Sequence, residues 1–160
     1  MKPIFILFLS LIVIAGCKEA QQCEEEIYLV PEGFRGKIMV FFDQADGQAV
    51  EYENTARVYH IPESGYIKSQ FPKNGGCMGD GRIQFFYEDS LGERQPLDYF
   101  LNIDKHNLPT DRDYVLFTFL NEKGKKPDFV IHFVGHLSEF TELTGSARNL
   151  NPQQILDSLK

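Results

Sequence analysis

Tryptophan is absent from this sequence, and 160 residues hold only three cysteines and three methionines. A glycan platform would therefore lack its commonest stacking residue. Cys17, Cys23 and Cys77 form no Cys-x-x-Cys pair, which excludes a thioredoxin-like redox motif. Basic residues are in deficit, 16 against 23 acids, for a formal charge of −7. Such a balance disfavours nucleic acid and anionic membrane surfaces as partners. No apolar run is long enough to span a bilayer, which takes about 20 residues. His-Glu-x-x-His, Gly-x-Ser-x-Gly and a phosphate loop ending in Gly-Lys-Ser/Thr are all missing. Strands and helices do not alternate, which excludes a parallel α/β sheet.

What is present begins at the N-terminus. Lys2 gives a positive start, Ile4 to Ile14 is apolar apart from Ser10, and small residues follow. This is the secretory pattern. Ile14-Ala15-Gly16-Cys17 resembles the lipobox of bacterial lipoproteins. The resemblance implies that residues 1–16 are a signal peptide, removed on export. Cys17 would then be the lipidation site, carrying a diacylglycerol thioether and an N-linked acyl chain such as palmitate. One acyl chain holds a protein only marginally and several hold it firmly. Residues 17–26, with the polar run Lys18 to Glu26, are expected to form a lipidated tether. Cys23 and Cys77 remain either to pair in an oxidising compartment or to stay as thiols.

Residues 27–160 read as one domain. Ile27–Val30, Gly36–Asp43, Arg57–Ile61, Tyr66–Phe71, Arg82–Glu88, Leu97–Ile103, Tyr114–Leu120 and Phe129–Val134 are strand-like runs separated by turn residues. Arg82–Glu88 alternates, with Ile83, Phe85 and Tyr87 on one face. Gly36–Asp43 is apolar on both faces, as in a central strand. Asp46-Gly47 predicts a hairpin-type turn. Asn151-Pro152 predicts an N-cap and first helical turn, and His136–Leu143 a further short helix. The expectation is an all-β single β-sandwich of about seven to eight strands with a short C-terminal helix. The many Phe and Tyr residues, 14 and 7, are expected in its core.

The segment Tyr28 to Val40, with Pro31-Glu32-Gly33-Phe34-Arg35-Gly36 at its centre, resembles the opening of a group of lipoprotein β-domains with no assigned activity. Val58 to Gly65, containing Ile61-Pro62-Glu63-Ser64-Gly65, is similar to that group's second block. The strand–turn order is also loosely similar to transthyretin-like and carboxypeptidase-regulatory-like sandwiches, which implies a structural or binding module. Physically, Pro31 followed by Gly33 suits a type II turn with positive φ at the glycine.

Candidate chemistry is sparse. His132, His136 and Glu139 could offer metal ligands, but zinc needs a third ligand at correct geometry; the expectation is one strand histidine and one turn histidine. Asp43, Asp46, Asp80, Asp111 and Asp113 occupy turns that match no EF-hand loop. Lys123 to Lys126 reads as a solvated hairpin tip, with anionic headgroups as the functional alternative. The loop Asn74, Gly75, Gly76, Met78, Gly79, Asp80, Gly81 around Cys77 ranks first as a candidate binding loop, because a glycine-rich loop on a rigid scaffold is free to engage partners.

The resulting expectation is a lipid-anchored cell-envelope protein with a non-catalytic binding or structural role, no cofactor and no metal. It attaches to a membrane through its N-terminal lipid, in the outer membrane, facing the periplasm or the surface, with an envelope protein as partner and no nucleic acid. Two alternatives accompany it: an acidic inhibitor of a basic envelope enzyme, and a metal-dependent hydrolase using His132 and His136.

Overall fold

A computed structural model describes residues 23–74, 81–102, 108–120, 124–147 and 149–159. Cys17 and Cys77 lie outside this set. Two five-stranded sheets pack face to face. The first has the order β3 (Tyr52–Glu53), β4 (Ala56–His60), β1 (Glu25–Pro31), β6 (Ile83–Glu88), β7 (Arg94–Leu97). The second has the order β5 (Tyr66–Lys68), β2 (Gly36–Phe41), β10 (Phe129–Gly135), β9 (Tyr114–Leu120), β8 (Tyr99–Phe100). The β-sandwich expectation holds at the level of architecture, with ten strands among the described residues in place of seven to eight. The expected run Leu97–Ile103 holds β8; the extra strands are the edge strands β3 and β7, of two and four residues, too short to leave a periodic signature.

Both sheets are mixed. In the first, β1 runs parallel to β4 and to β6. Parallel neighbours need a crossover. Here the crossovers pass through strands of the other sheet, so no helix is required and helix alternation is correctly missing from the sequence. Asp46-Gly47 does form a turn, with Gly47 N–H donating to Gln44 O at 3.0 Å. The hairpin reading fails, however: β2 pairs with β10 and β5, and the chain after the turn crosses to the other sheet.

The core follows from side-chain period. Tyr28 and Val30, Ile38 and Val40, Tyr59 and Ile61, and Ile83, Phe85 and Tyr87 point between the sheets. Tyr59, Tyr28 and Phe85 sit opposite one another on adjacent strands. Their rings stack at 4.8 Å and 4.5 Å. Such aromatic pairs add about 0.5–1.5 kcal/mol beyond area burial. The alternate residues Met39 and Phe41, and Phe129, Ile131 and Phe133, face the other way. There they meet a helical layer: the 3₁₀ turn Leu137–Glu139, α1 (Phe140–Ala147) and α2 (Pro152–Ser158). This explains why β2 and β10 read as apolar on both faces. Asn151 caps α2 through Gln154 N–H at 3.2 Å, with Pro152 in the first turn. No described helix is long and apolar enough to cross a membrane.

The outer face of the first sheet carries a small apolar cluster, Ile27, Leu29, Ala56 and Val58, with Phe86 against it. Arg94 on edge strand β7 reaches Glu53 on the opposite edge strand β3 at 2.7 Å. That contact joins the two edges of the sheet on the side of the molecule that no described helix covers.

Candidate functional site

Strand β1 has two polar ends that differ in kind. At its start, Glu26 is 5% exposed. Tyr28 Oη–H donates to its carboxylate at 2.8 Å and Asn74 Nδ2–H at 3.0 Å. Burial raises the Glu26 pKa above the ordinary carboxylate range, against the lowering effect of those two bonds and of Arg57. Arg57, also buried, pairs with Glu24, donates to Pro72 O at 2.5 Å, and lies 4.9 Å over the Phe71 ring. Asn74 reaches back to Glu24 O at 2.7 Å, and Arg82 donates to Cys23 O at 3.4 Å. Cys23 is disulfide-bonded, to a partner outside the described residues. The tether expected over residues 17–26 therefore ends earlier than its polarity implied, because Glu25 and Glu26 belong to β1. Their partners come from distant segments.

This end also receives the arms of the candidate loop. Gly75, Gly76, Met78, Gly79 and Asp80 lie outside the described residues. Asn74 is a buried pin for Glu24 and Glu26, and Gly81 is an exposed turn residue with φ of 71°. Asn74 thus holds the fold together at this end and is not free to meet a partner.

The histidines are not brought together. His132 is 1% exposed and points into the sandwich. Its ring meets Phe85 at 5.0 Å, Tyr28 at 5.2 Å, Tyr99 at 5.8 Å and Phe117 at 5.9 Å. Neither ring nitrogen has a hydrogen-bond partner. Desolvation pulls its pKa down to about 3, so the ring is neutral. It stands where β9 and β10 slip register. His136 lies past the strand end and accepts from Arg35 Nη2 at 2.6 Å, while Arg35 Nε forms an ion pair with Asp113 at 2.9 Å. Glu139 turns to the His136 backbone N–H at 2.8 Å. Among the described residues no group of three or more His, Cys, Asp or Glu side chains is placed to hold a metal. Asp43, Asp46 and Asp113 are engaged by Lys126, Lys68 and Arg35. Of the basic hairpin tip, Lys126 is tied to Asp43 and Asp128.

At its other end β1 opens onto a groove of about 420 Å³. Such a volume lies within the range of small-ligand and side-chain pockets. The parallel strands β4, β1 and β6 end side by side there, so their carboxyl-terminal turns share one rim. Leu29, Val30, Pro31 and Ile61 form the apolar lining; Glu32, Glu63, Glu88 and Asp89, with His60 and Ser90, supply the polar one. Two Pro-Glu turns place two of those acids. Phe34 N–H donates to Pro31 O at 3.0 Å and Gly65 N–H to Pro62 O at 2.8 Å. Gly33 and Gly65 have φ of 74° and 75°, the conformation the first turn was expected to need. At Gly65 a Cβ would lie 2.1 Å from Lys37 O, so only glycine lets this turn pack. Glu88 is held by Arg94 at 3.2 Å, and Asp89 accepts from Leu91 and Glu93 N–H at 2.8 Å each. Glu32 and Glu63 are exposed and have no cationic partner among the described residues. Sequence reasoning identified both Pro-Glu turns as turns and missed that they meet. The signal available was that three strands each end in acids: Pro31-Glu32, Pro62-Glu63 and Glu88-Asp89.

A family model described as "Family of unknown function (DUF6843)" matches residues 22–130. The fold is similar to a crystal structure described as "Putative Lipoprotein from Bacillus anthracis", with a TM-score of 0.54 and 15% sequence identity, covering 79% of this chain and 80% of that one. No curated protein matches the chain.

Proposed function

This chain belongs to DUF6843, a family of unknown function, and from that premise we propose that it is a lipid-anchored protein of the cell envelope that works by binding and without catalysis. The observation that carries the reading is the course of β1. It begins at Glu25, a few residues past Cys17, and runs from the locked polar end to the open groove. A tether from Cys17 to Glu25 reaches at most about 30 Å. It keeps the domain within about 30 Å of the membrane, with the Glu26 end next to the attachment point. The description of the structural neighbour as a putative lipoprotein supports the same reading. The separation of His132 from His136 leaves the hydrolase alternative without a shared site.

The outer membrane, with the domain facing the periplasm or the surface, is the compartment we assign, and Cys77 the partner we assign to Cys23. Asn74 and Arg82, which flank the segment containing Cys77, both bond the backbone beside Cys23. Alkylation and mass measurement without reductant should find neither thiol modified; two alkylated thiols remove the bridge. Cys17→Ser should shift the protein out of the membrane fraction, as uncleaved precursor or soluble material. A fully processed Cys17→Ser product that still needs detergent for extraction contradicts the anchor.

A further inference from the structure

We infer that the groove at the carboxyl ends of β4, β1 and β6 is the docking site for a lysine- or arginine-bearing polypeptide segment of a protein partner. This deepens the binding reading above and rests on it.

Charge and shape argue together. The lining contains four carboxylates and no lysine or arginine. Among the described residues several acids elsewhere are neutralised locally: Glu24 by Arg57, Asp46 by Lys68, Asp128 by Lys126, Asp113 by Arg35. In the groove Glu88 and Asp89 are committed to Arg94 and to a turn, whereas Glu32 and Glu63 stand on the rim without a cation. Those two come from separate turns and face the same cavity, whose floor is the half-buried Pro31 above the buried Leu29, Val30 and Ile61. An aliphatic stem on the floor and a cationic head at the rim is the division of a lysine or arginine side chain.

The geometry also selects the source of that cation. Glu32, His60, Glu63 and Ser90 are all exposed, so the cavity is open along its rim. A small-molecule site encloses 70–90% of its ligand, and an open groove does not. A cation fixed to a protein surface needs no enclosure, because its partner's surface completes the site. Anionic lipid headgroups are repelled by the same carboxylates. Opposite charge would raise the encounter rate in a salt-dependent way.

The test uses the full-length lipidated protein in nanodiscs of neutral lipid. Calorimetric titration with a capped Lys-Leu-Lys-Leu-Lys peptide is compared with cadaverine, a free diamine. The same titrations follow on Glu32→Gln/Glu63→Gln and on a control of equal charge change at exposed sites elsewhere, Glu25→Gln/Glu142→Gln. The expected result is peptide binding that the groove pair weakens about five- to tenfold, as two partly exposed ion pairs imply. The control pair leaves it unchanged, and cadaverine binds far more weakly than the peptide. Three results overturn the inference: no peptide binding by the natural protein, equal loss in groove and control pairs, or cadaverine binding as well as the peptide. Each of these leaves the membrane fractionation of the Cys17 variant untouched, so failure here is distinct from failure of the anchoring proposal.

Discussion

The two ends of strand β1 carry similar acids and use them in opposite ways. At the Glu26 end the carboxylates of Glu24 and Glu26 are paired or buried, and Arg57, Asn74 and Tyr28 are consumed in holding them, while Glu25 between them points to solvent. At the Pro31 end Glu32 and Glu63 stay in solvent over an apolar floor. The difference teaches where to look for function in a chain without a catalytic motif. Polar residues that satisfy one another account for stability. Polar residues left unsatisfied beside a cavity are available for a partner.

The largest effect should come from breaking the locked end. Arg57→Ala removes the partner of Glu24, the donor to Pro72 O and the cover over Phe71, and leaves Glu26 without its nearby positive charge. Loss of a buried charged partner costs about 3 kcal/mol or more, which denaturant titration of the purified protein should show. A loss below about 0.5 kcal/mol, the level of an ordinary surface change, would erase the contrast between the ends.

The pH dependence of stability sharpens the same contrast, because two of the buried ionisable groups, His132 and Glu26, act with opposite sign. His132 has a folded pKa of about 3 against an ordinary 6.5. The unfolded chain therefore binds the proton first, and stability falls as pH drops from about 6.5 towards 3. At pH 5 this amounts to about 2 kcal/mol, and His132→Phe should abolish it. Glu26 has a raised pKa, with burial as the main cause. Its contribution is complete below the unfolded carboxylate pKa and is lost as pH rises through the folded one. Glu26→Gln should flatten that limb. Thermal unfolding across pH for both variants checks this, and a His132→Phe profile that still declines in acid would show that another group controls it.

The legible parts of the fold were those with a local cause. The alternation of Ile83, Phe85 and Tyr87 named the core face of β6, and the apolar run at Ile38 to Phe42 named a strand covered on both sides. The turn chemistry of Pro31 to Gly33 fixed a positive φ. The rest is non-local. Glu26 reads as tether because nothing near it in sequence supplies Tyr28 with a reason to turn inward or Asn74 with a reason to bond it. His132 reads only as a strand histidine, because β10 is apolar on both faces and its period gives no direction. The groove depends on strand order β4, β1, β6, and that order is set by crossovers through the other sheet. The glycine-rich loop drew attention by composition alone, while the Pro-Glu turns looked fully explained as turns.

The most direct test of the account is a hydrogen-exchange map of the full-length protein in nanodiscs, with and without the Lys-Leu-Lys-Leu-Lys peptide. Ligand-dependent protection at glycine and polar turn amides of residues 32–34, 63–65 and 88–92, with no change over residues 23–26, 56–58 and 72–74, is the predicted result. Protection confined to the segments around Glu26 and Asn74, with the Pro-Glu turns unchanged, would contradict it.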